Sequence, residues 1–302
     1  MLHRRTLGAL TLAAVAVFAA CDDDDVTGTE VGTIVDVAAD AGQFNTLLTA
    51  AGAAGLDGAL ADPNASLTVF APTDAAFAAL PAGTLDALLN DTDALASVLL
   101  YHVLDTEQDA NDVLAQAFIP TLNGQAIAIG ENGSGQPTAS GAVIVSTNIE
   151  ASNGIIHVID AVMVPETRNL VEVASETEGF GTLVAAVQAA GLVETLADAD
   201  AEFTVFAPTD DAFAGLLADL GLTAEELLAN TSLLTDVLLY HVAEGRIYSD
   251  EVLSSSSIAT VQGSSAPIVG TEIDGAAIVA TDIQATNGVI HVIDEVILPP
   301  SE

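Results

Sequence analysis

The residues best suited to acid–base chemistry are four histidines that recur in two matching pairs. His102 and His157 lie in the first half of the chain, and His241 and His291 lie in the second half. Histidine serves as a general base, as a metal ligand or as a group that changes charge near neutral pH. The sequence contains neither a Gly-x-Ser-x-Gly elbow nor a His-x-x-x-His pair, so it offers no activated serine and no zinc-binding spacing. We therefore predict no enzyme activity, no metal site and no cofactor.

Two of these histidines close an apolar helix face and directly follow a tyrosine. His102 follows Tyr101, and His241 follows Tyr240. Apolar residues precede each histidine by seven, four and three positions, which is the spacing of one face of a helix. The pattern predicts a buried imidazole with one ring nitrogen donating to a backbone carbonyl. We expect the tyrosine rings to fill core or groove volume while their hydroxyls find polar partners.

The single cysteine follows a short apolar segment at the N-terminus. Two arginines precede the apolar residues 6–18, and Ala19-Ala20-Cys21 ends the segment. A basic start, a short apolar stretch and small residues before the cut are typical of a secretory signal. The ending resembles a bacterial lipoprotein signal, which implies cleavage before Cys21 and lipidation of that residue. We therefore predict a signal peptide over residues 1–20 and a lipidated, acidic tether over residues 21–32. An ordinary secretory signal with an incidental cysteine is the alternative.

The charge of the chain excludes one class of partner. Aspartate and glutamate together number 43 against 4 basic residues, all of them arginine, for a formal net charge of -39. A surface of this charge repels phosphate, which excludes nucleic-acid binding, and it disfavours charge-driven adhesion to a bare anionic bilayer. Because salt screens the repulsion among like charges, we predict either a halophilic protein or a surface whose acidity serves solubility.

Three segments recur in the same order in the two halves of the chain. Thr68–Asp74 recurs without change 136 residues later. Val98–Val103 recurs 139 residues later, and Asn153–Asp160 recurs with one change 134 residues later. A period of this length is the size of a globular domain and exceeds the periods of solenoid repeats. We therefore predict two tandem domains over residues 33–165 and 168–300, which we call repeat 1 and repeat 2.

Within each repeat the pattern predicts helices, then a strand, further helices and a final group of strands. The β-branched and aromatic residues before Pro72 are typical of a buried strand. Thr73 is then placed to cap a helix, with Asp74 near its positive end. Asn153-Gly154 and its counterpart Asn287-Gly288 predict type I′ hairpins, in which both turn residues need positive φ, and hence pairing of the last two strands of each repeat.

The recurring segments resemble the signature blocks of fasciclin domains. Thr-Val-Phe-Ala-Pro-Thr-Asp, Leu-Leu-Tyr-His-Val and Asn-Gly-x-Ile-His-Val-Ile-Asp occur in this order twice. The resemblance implies an α+β fold of two tandem fasciclin-like domains, each a β-sandwich wedge packed with several α-helices. It also implies a function, because members of the family include cell-surface adhesion proteins and secreted or lipid-anchored bacterial proteins, mostly without catalytic activity.

The resemblance further implies a set of binding residues. In matrix proteins of the family, the Tyr-His motif and an Asp-Ile pair are implicated in integrin-dependent adhesion. In this sequence the matching positions are Tyr101, His102, Tyr240, His241, Asp282 and Ile283. Repeat 1 has Asn148 in place of the aspartate. Contact with a partner and a purely structural role are the two alternatives for these residues.

Together these features favour a non-catalytic, exported protein held to the cell envelope, periplasmic or at the cell surface, by lipid on Cys21. We expect it to act in adhesion, or to bind an extracellular or envelope protein or glycan. The first alternative is a periplasmic small-ligand or lipid-binding protein, which requires an apolar pocket between helices and sheet. The others are an enzyme and a spacer that binds nothing.

Overall fold

The computed structural model describes residues 31–300 of the 302-residue chain. The predicted signal peptide, Cys21 and nearly all of the predicted tether lie outside the described residues. Between Val31 and Pro300, no helix combines the length and the apolar composition that a bilayer span requires. Both repeats belong to one compact unit.

Repeat 1 follows the predicted order of helices, strand, helices and strands. Three helices precede the first strand, and four more lie before the final group of strands. Its elements are α1 (Ile34–Ala41), α2 (Asn45–Ala53), α3 (Asp57–Leu60), β1 (Leu67–Pro72), α4 (Asp74–Ala78), α5 (Thr84–Asn90), α6 (Thr92–Leu100), β2 (Val103–Leu104), α7 (Ala110–Leu114), β3 (Phe118–Pro120), β4 (Ala126–Glu131), β5 (Pro137–Ala139), β6 (Ala142–Ala151) and β7 (Gly154–Ile159).

Repeat 2 contains the same elements in the same order. Its elements are α8 (Leu170–Glu176), α9 (Gly181–Ala189), α10 (Val193–Leu196), β8 (Phe203–Pro208), α11 (Asp210–Leu220), α12 (Ala224–Ala229), α13 (Thr231–Tyr240), β9 (Val242–Glu244), α14 (Ser249–Ser254), β10 (Ser257–Ala259), β11 (Ser265–Val269), β12 (Glu272–Ile273), β13 (Ala276–Ala285) and β14 (Gly288–Ile293). The main difference in length is α11, which has 11 residues where α4 has 5.

Each repeat contains one mixed seven-stranded sheet. The strand order is β2-β1-β7-β6-β5-β4-β3 in repeat 1, and the equivalent strands follow the same order in repeat 2. Strands β1 and β7 are parallel, whereas the other neighbours are antiparallel. Strand β6 has register shifts against β7, and irregularities of this kind bend a strand. The predicted α+β fold of two tandem domains is confirmed.

Strand β1 is buried on both faces, and this divides the core of repeat 1 into two clusters. Val69 packs with Phe77 and the other apolar residues of the helices. Phe70, on the opposite face, packs with Ile127 of β4. The far strands of the sheet therefore cover the face of β1 that the helices leave open. The expected β-sandwich is thus formed by one curled sheet in each repeat and not by two separate sheets. Strand β8 is also buried on both faces, and its Phe206 packs against residues of the far strands of its sheet.

The Thr-Asp pair after the first strand caps two different helices. Thr73 caps α4 as predicted, since its hydroxyl oxygen accepts from an amide of that helix at 3.2 Å. Asp74 lies in the first turn of α4, as predicted. Its carboxylate also accepts from the amide of Thr46 at 2.7 Å, at the start of α2, where the N-cap side chain makes no hydrogen bond of its own. Asp210 accepts from Thr182 at 2.6 Å in the same position of repeat 2. The aspartate thus joins the second helix of each repeat to the helix after the first strand.

The Asn-Gly pairs do not form the predicted type I′ turns, although the strands that they connect do pair. The two-residue turn consists of Ser152 and Asn153, and Gly154 is the first residue of β7. Asn153 is not among the residues with positive φ. The glycine is needed for a different reason, because a Cβ on Gly154 would lie 1.9 Å from the backbone oxygen of Leu67 in the parallel strand β1. A Cβ on Gly288 would meet β8 in the same way, at 2.0 Å.

The asparagine of each pair ties the hairpin to the first helices. Asn153 is 2% exposed. Its Oδ1 accepts from the amide of Ile34 at 2.8 Å, and its Nδ2 donates to the carbonyls of Leu60 and Asp62, both at 2.9 Å. Asn287 makes the equivalent three bonds in repeat 2. A motif that predicts a local turn therefore acts mainly through contacts that are distant in sequence.

Candidate binding surface and the junction between the repeats

His102 and His241 are buried and bonded on both ring nitrogens. Nδ1 of His102 lies 2.7 Å from the carbonyl oxygen of Val98, and the amide of Met163 donates to Nε2 at 3.0 Å. His241 makes the same two contacts in repeat 2, at 2.8 and 3.1 Å. Burial lowers the pKa of each imidazole to about 4. The predicted burial and the bond from a ring nitrogen to a backbone carbonyl are confirmed in both repeats, although α6 and α13 end just before the histidine, which lies in the following turn.

In the other two histidines, the two ring nitrogens exchange roles: Nε2 faces a carbonyl oxygen and Nδ1 accepts from an amide. Nε2 of His157 lies 3.0 Å from the carbonyl oxygen of Gln108, and the amide of Asn148 donates to Nδ1 at 3.4 Å. His291 makes the equivalent contacts at 2.8 and 3.4 Å. Burial is the main cause that lowers the pKa of both rings. Within residues 31–300, no group of three or more His, Cys, Asp or Glu side chains is arranged to hold a metal ion.

The tyrosines of the Tyr-His motif reach polar partners from inside the core. Tyr101 Oη donates to the carbonyl of Ala126 at 2.9 Å. Tyr240 Oη donates to a carboxylate oxygen of Asp274 at 3.1 Å, and burial, with a smaller effect of that carboxylate, raises the pKa of Tyr240 to about 12. Tyr101, His102, Tyr240 and His241 are each at most 3% exposed. A partner at this place would therefore meet the surface around these side chains and not the side chains themselves.

Asp282 caps a helix from a bulge in strand β13. Its backbone has a φ of 62°, and its Oδ1 accepts from the amide of Ser249 at 2.8 Å, at the first residue of α14. Asn148 does the same for α7 in repeat 1, with its Oδ1 accepting from Ala110 at 2.8 Å. The cap therefore needs an oxygen and not a charge. Ile283, the next residue, is half-buried and packs against the core of repeat 2.

The two repeats meet through hydrogen bonds that converge on one buried residue of β4. Ala126 is 0% exposed. Its amide donates to Oε1 of Gln284 at 2.9 Å, and its carbonyl accepts from Nε2 of the same side chain at 2.9 Å. The amide also donates to Tyr248 Oη at 3.0 Å. The ring of Tyr248 stacks on Phe118 of β3, with centroids 4.8 Å apart and planes 14° apart.

This junction uses positions at which the repeats differ. Tyr248 is the N-cap residue of α14, whereas the N-cap residue of α7 is Asp109, which caps its own helix. Because Tyr248 makes no cap, its ring is available to cross to repeat 1, and Asp282 supplies the oxygen that α14 needs. In the alignment of the two repeats, the residue of repeat 1 that matches Gln284 is Glu150. The sequence did not lead us to Tyr248 and Gln284, because we aligned the two repeats on their identical positions. The signal available in the sequence was an aromatic residue at the position where repeat 1 has a capping aspartate.

The linker between the repeats, Glu166 and Thr167, is also fixed to repeat 1. The side-chain amide of Gln125 donates to the carbonyl of Glu166 at 2.7 Å and accepts from its amide at 2.9 Å. Arg168 bonds the carboxylate of Glu166 at 2.6 Å and that of Glu176 at 2.6 Å. The hydrogen bonds from Arg168 are the main cause that lowers the pKa of Glu166 to about 2. The segment between the repeats is therefore held in place by hydrogen bonds and ion pairs.

A cleft of about 330 Å³ opens beside the junction. Phe118 lines it from repeat 1, and Glu202, Asp250 and Glu251 line it from repeat 2. Arg246 also lines it, but its Nε bonds Glu202 at 2.9 Å and its other nitrogens bond the backbone carbonyls of the turn between β13 and β14. The cleft thus combines an aromatic ring with carboxylates and is the candidate binding surface.

Comparison with known proteins identifies both repeats. The fasciclin domain model matches residues 42–165 and 178–299. The chain is 41% identical over 172 residues to protein sll1483 of Synechocystis sp., across 55% of this chain and 89% of that protein. It is 31% identical over 243 residues to transforming growth factor-beta-induced protein ig-h3 of Sus scrofa, across 78% of this chain. The chain spans 35% of the length of that mammalian relative.

Among solved structures, the chain is similar to a FAS1 domain pair from the insect cell adhesion molecule fasciclin I. The match covers 85% of this chain and 95% of that chain, at 19% sequence identity and a TM-score of 0.41.

Proposed function

Because this chain belongs to the fasciclin domain family, whose model matches both repeats, we propose that it is a non-catalytic adhesion or binding protein of the cell envelope. Lipid on Cys21 would hold it to a membrane, and the acidic residues after that cysteine would keep the two domains clear of the bilayer. Its partner would be an extracellular or envelope protein or glycan.

The observation that carries this proposal is the direct docking of the two repeats. Gln284 and Tyr248 of repeat 2 both bond Ala126 of repeat 1. A docked pair presents the surfaces of both domains at a fixed spacing. A partner with two matching features can then engage both domains without a further cost of bringing them together.

The cleft at the junction suggests what the partner offers. Phe118 supplies an apolar ring, and Glu202, Asp250 and Glu251 supply acceptor oxygens. Arg246 already makes an ion pair with Glu202. Such a surface favours ligands that combine an apolar face with hydrogen-bond donors, which sugar rings and basic protein side chains both do.

An attachment assay tests the proposal. Cells that carry the chain should adhere to a surface coated with native envelope material, and cells that carry the Cys21→Ser variant should not, because the unanchored protein leaves the cell. The double variant Asp250→Asn, Glu251→Gln should also attach weakly, whereas Asp219→Asn, Glu225→Gln, with the same charge change on another exposed surface, should attach normally. Equal attachment by all of these strains and by cells without the protein would contradict the proposal.

A further inference from the structure

Repeat 1 contains an apolar pocket between its first helices and the strand β1. The pocket has a volume of about 120 Å³. Its inner wall includes the buried residues Ala51, Val69 and Leu99. Its rim includes Leu56, which is half-buried, and Leu122, which is 45% exposed. The apolar surface therefore continues from the interior to the mouth.

The pocket has no polar group free to orient a polar ligand. His102 is the single polar side chain among the lining residues, and its nitrogens are already bonded to the backbone of Val98 and Met163. All other lining residues are alanine, valine, leucine or isoleucine. An apolar cavity of about 150 Å³ with a similar lining stays dry and binds small apolar molecules. The lining of this pocket therefore favours an aliphatic hydrocarbon as its ligand.

The equivalent space in repeat 2 is nearly filled. It measures about 30 Å³. Val187 stands there in place of Ala51, and Phe203 stands in place of Leu67. The same fold is thus compatible with a packed core at this position. An unfilled cavity lowers the free energy of unfolding of the protein. The open pocket is a property of the residues of repeat 1 and not a requirement of the fold.

We propose that the pocket of repeat 1 binds the end of a saturated acyl chain. A few methylene groups would fill the interior, and the rest of the chain would follow the leucines of the rim. The head group would remain outside, and the formal charge of -39 disfavours an anionic one. This binding does not depend on the junction or on adhesion.

Calorimetric titration with 1-octanol tests the proposal on the full chain carrying Cys21→Ser, so that no attached lipid competes. 1-Octanol should bind in the pocket of repeat 1, and octanoate should bind there more weakly because of its charge. Any binding in the separate apolar cavity of about 140 Å³ in repeat 2, which His241 and Leu298 help to line, should not change with variants of repeat 1. Ala51→Val, which copies repeat 2, should weaken 1-octanol binding by at least about tenfold, because its two added carbons occupy the space of two methylenes. It should also raise the melting temperature of the unliganded protein.

The reciprocal variant and a second filling variant keep the test decisive. Val187→Ala should add a binding site at the equivalent position of repeat 2. Leu67→Phe, the other residue copied from repeat 2, should weaken binding if Ala51→Val does not fold. Flotation of the Cys21→Ser chain, but not of the same chain with Ala51→Val added, with neutral phosphatidylcholine vesicles would assign the acyl chain to a membrane lipid. Binding of 1-octanol without flotation would assign it to a free molecule. The proposal is overturned if the Cys21→Ser chain does not bind 1-octanol, or if adding Ala51→Val leaves its affinity and stoichiometry unchanged.

Discussion

The side-chain amide of Gln284 forms two hydrogen bonds with the backbone of Ala126, one donated and one accepted, both 2.9 Å long. It bonds β4 of repeat 1 much as a neighbouring strand would. Because both atoms of the amide are used, neither a carboxylate nor an alkyl side chain can replace it. This contact and the Tyr248 ring make the two domains one unit.

We expect Gln284→Glu to separate the unfolding of the two repeats. The variant places a carboxylate oxygen against the carbonyl of Ala126, so that one donated bond becomes a repulsion, at a cost of about 1–3 kcal/mol. Calorimetry should show one transition for wild type and two for the variant. The matched control is Glu150→Gln, at the exposed equivalent position of repeat 1, which should leave one transition. Identical profiles for Gln284→Glu and wild type would show that the junction does not couple the repeats.

The buried histidines should make the protein less stable in mild acid. Their pKa is about 4 in the folded protein and about 6.5 in the unfolded chain, so their contribution is complete above pH 6.5 and is lost as the pH falls toward 4. By pH 5 each should have lost about 2 kcal/mol.

Urea titrations at pH 7 and pH 5 can isolate this effect. His102→Phe and His241→Phe will lower stability at pH 7, because the amides of Met163 and Ile297 lose their acceptor. They should nevertheless lose less stability than wild type between the two pH values. An unchanged difference between pH 7 and pH 5 in both variants would disprove the assignment.

Salt should stabilise the folded protein. The described residues contain two arginines, Arg168 and Arg246, and both are already paired with glutamates, so most carboxylates have only one another as charged neighbours. Raising NaCl from a dilute buffer to 1 M reduces the screening length to about 3 Å. We expect the melting temperature followed by circular dichroism to rise by about 5 °C, equivalent to about 1–2 kcal/mol. The same melting temperature at both salt concentrations would rule out the halophile prediction.

Replacing Gly154 by alanine should disrupt repeat 1. The added Cβ would lie 1.9 Å from the backbone oxygen of Leu67, and relief requires β1 and β7 to move apart. We expect a loss of more than about 3 kcal/mol in the free energy of unfolding. Gly130→Ala is the control, because its nearest neighbour is the hydroxyl of Thr138 at 3.6 Å, and it should cost less than about 1 kcal/mol. Similar values for the two variants would show that the close approach is not a constraint.

The features that could be predicted from the sequence depend on short-range patterns. The buried strand before Pro72, the cap at Thr73 and the burial of His102 each follow from composition and spacing over fewer than about ten residues. The duplication supported these predictions further, because a sequence pattern that recurs in both repeats is less often a coincidence than one that occurs once.

The features that could not be predicted depend on which elements lie next to each other. Gly154 is required by a strand that is distant in sequence, and Asp74 caps a helix other than its own. Tyr248 crosses to the other repeat. Periodicity describes one element at a time, so contacts of this kind become visible only in the folded chain.

Recovery of a partner from native envelope tests the central claim most directly. The full chain should enrich a specific protein or glycan that an unrelated protein of matched acidity does not, and Gln284→Glu should retain less of it, because its domains no longer act together. Recovery of the same molecules by the chain and by the acidic control would show generic charge effects and contradict an adhesion or binding function.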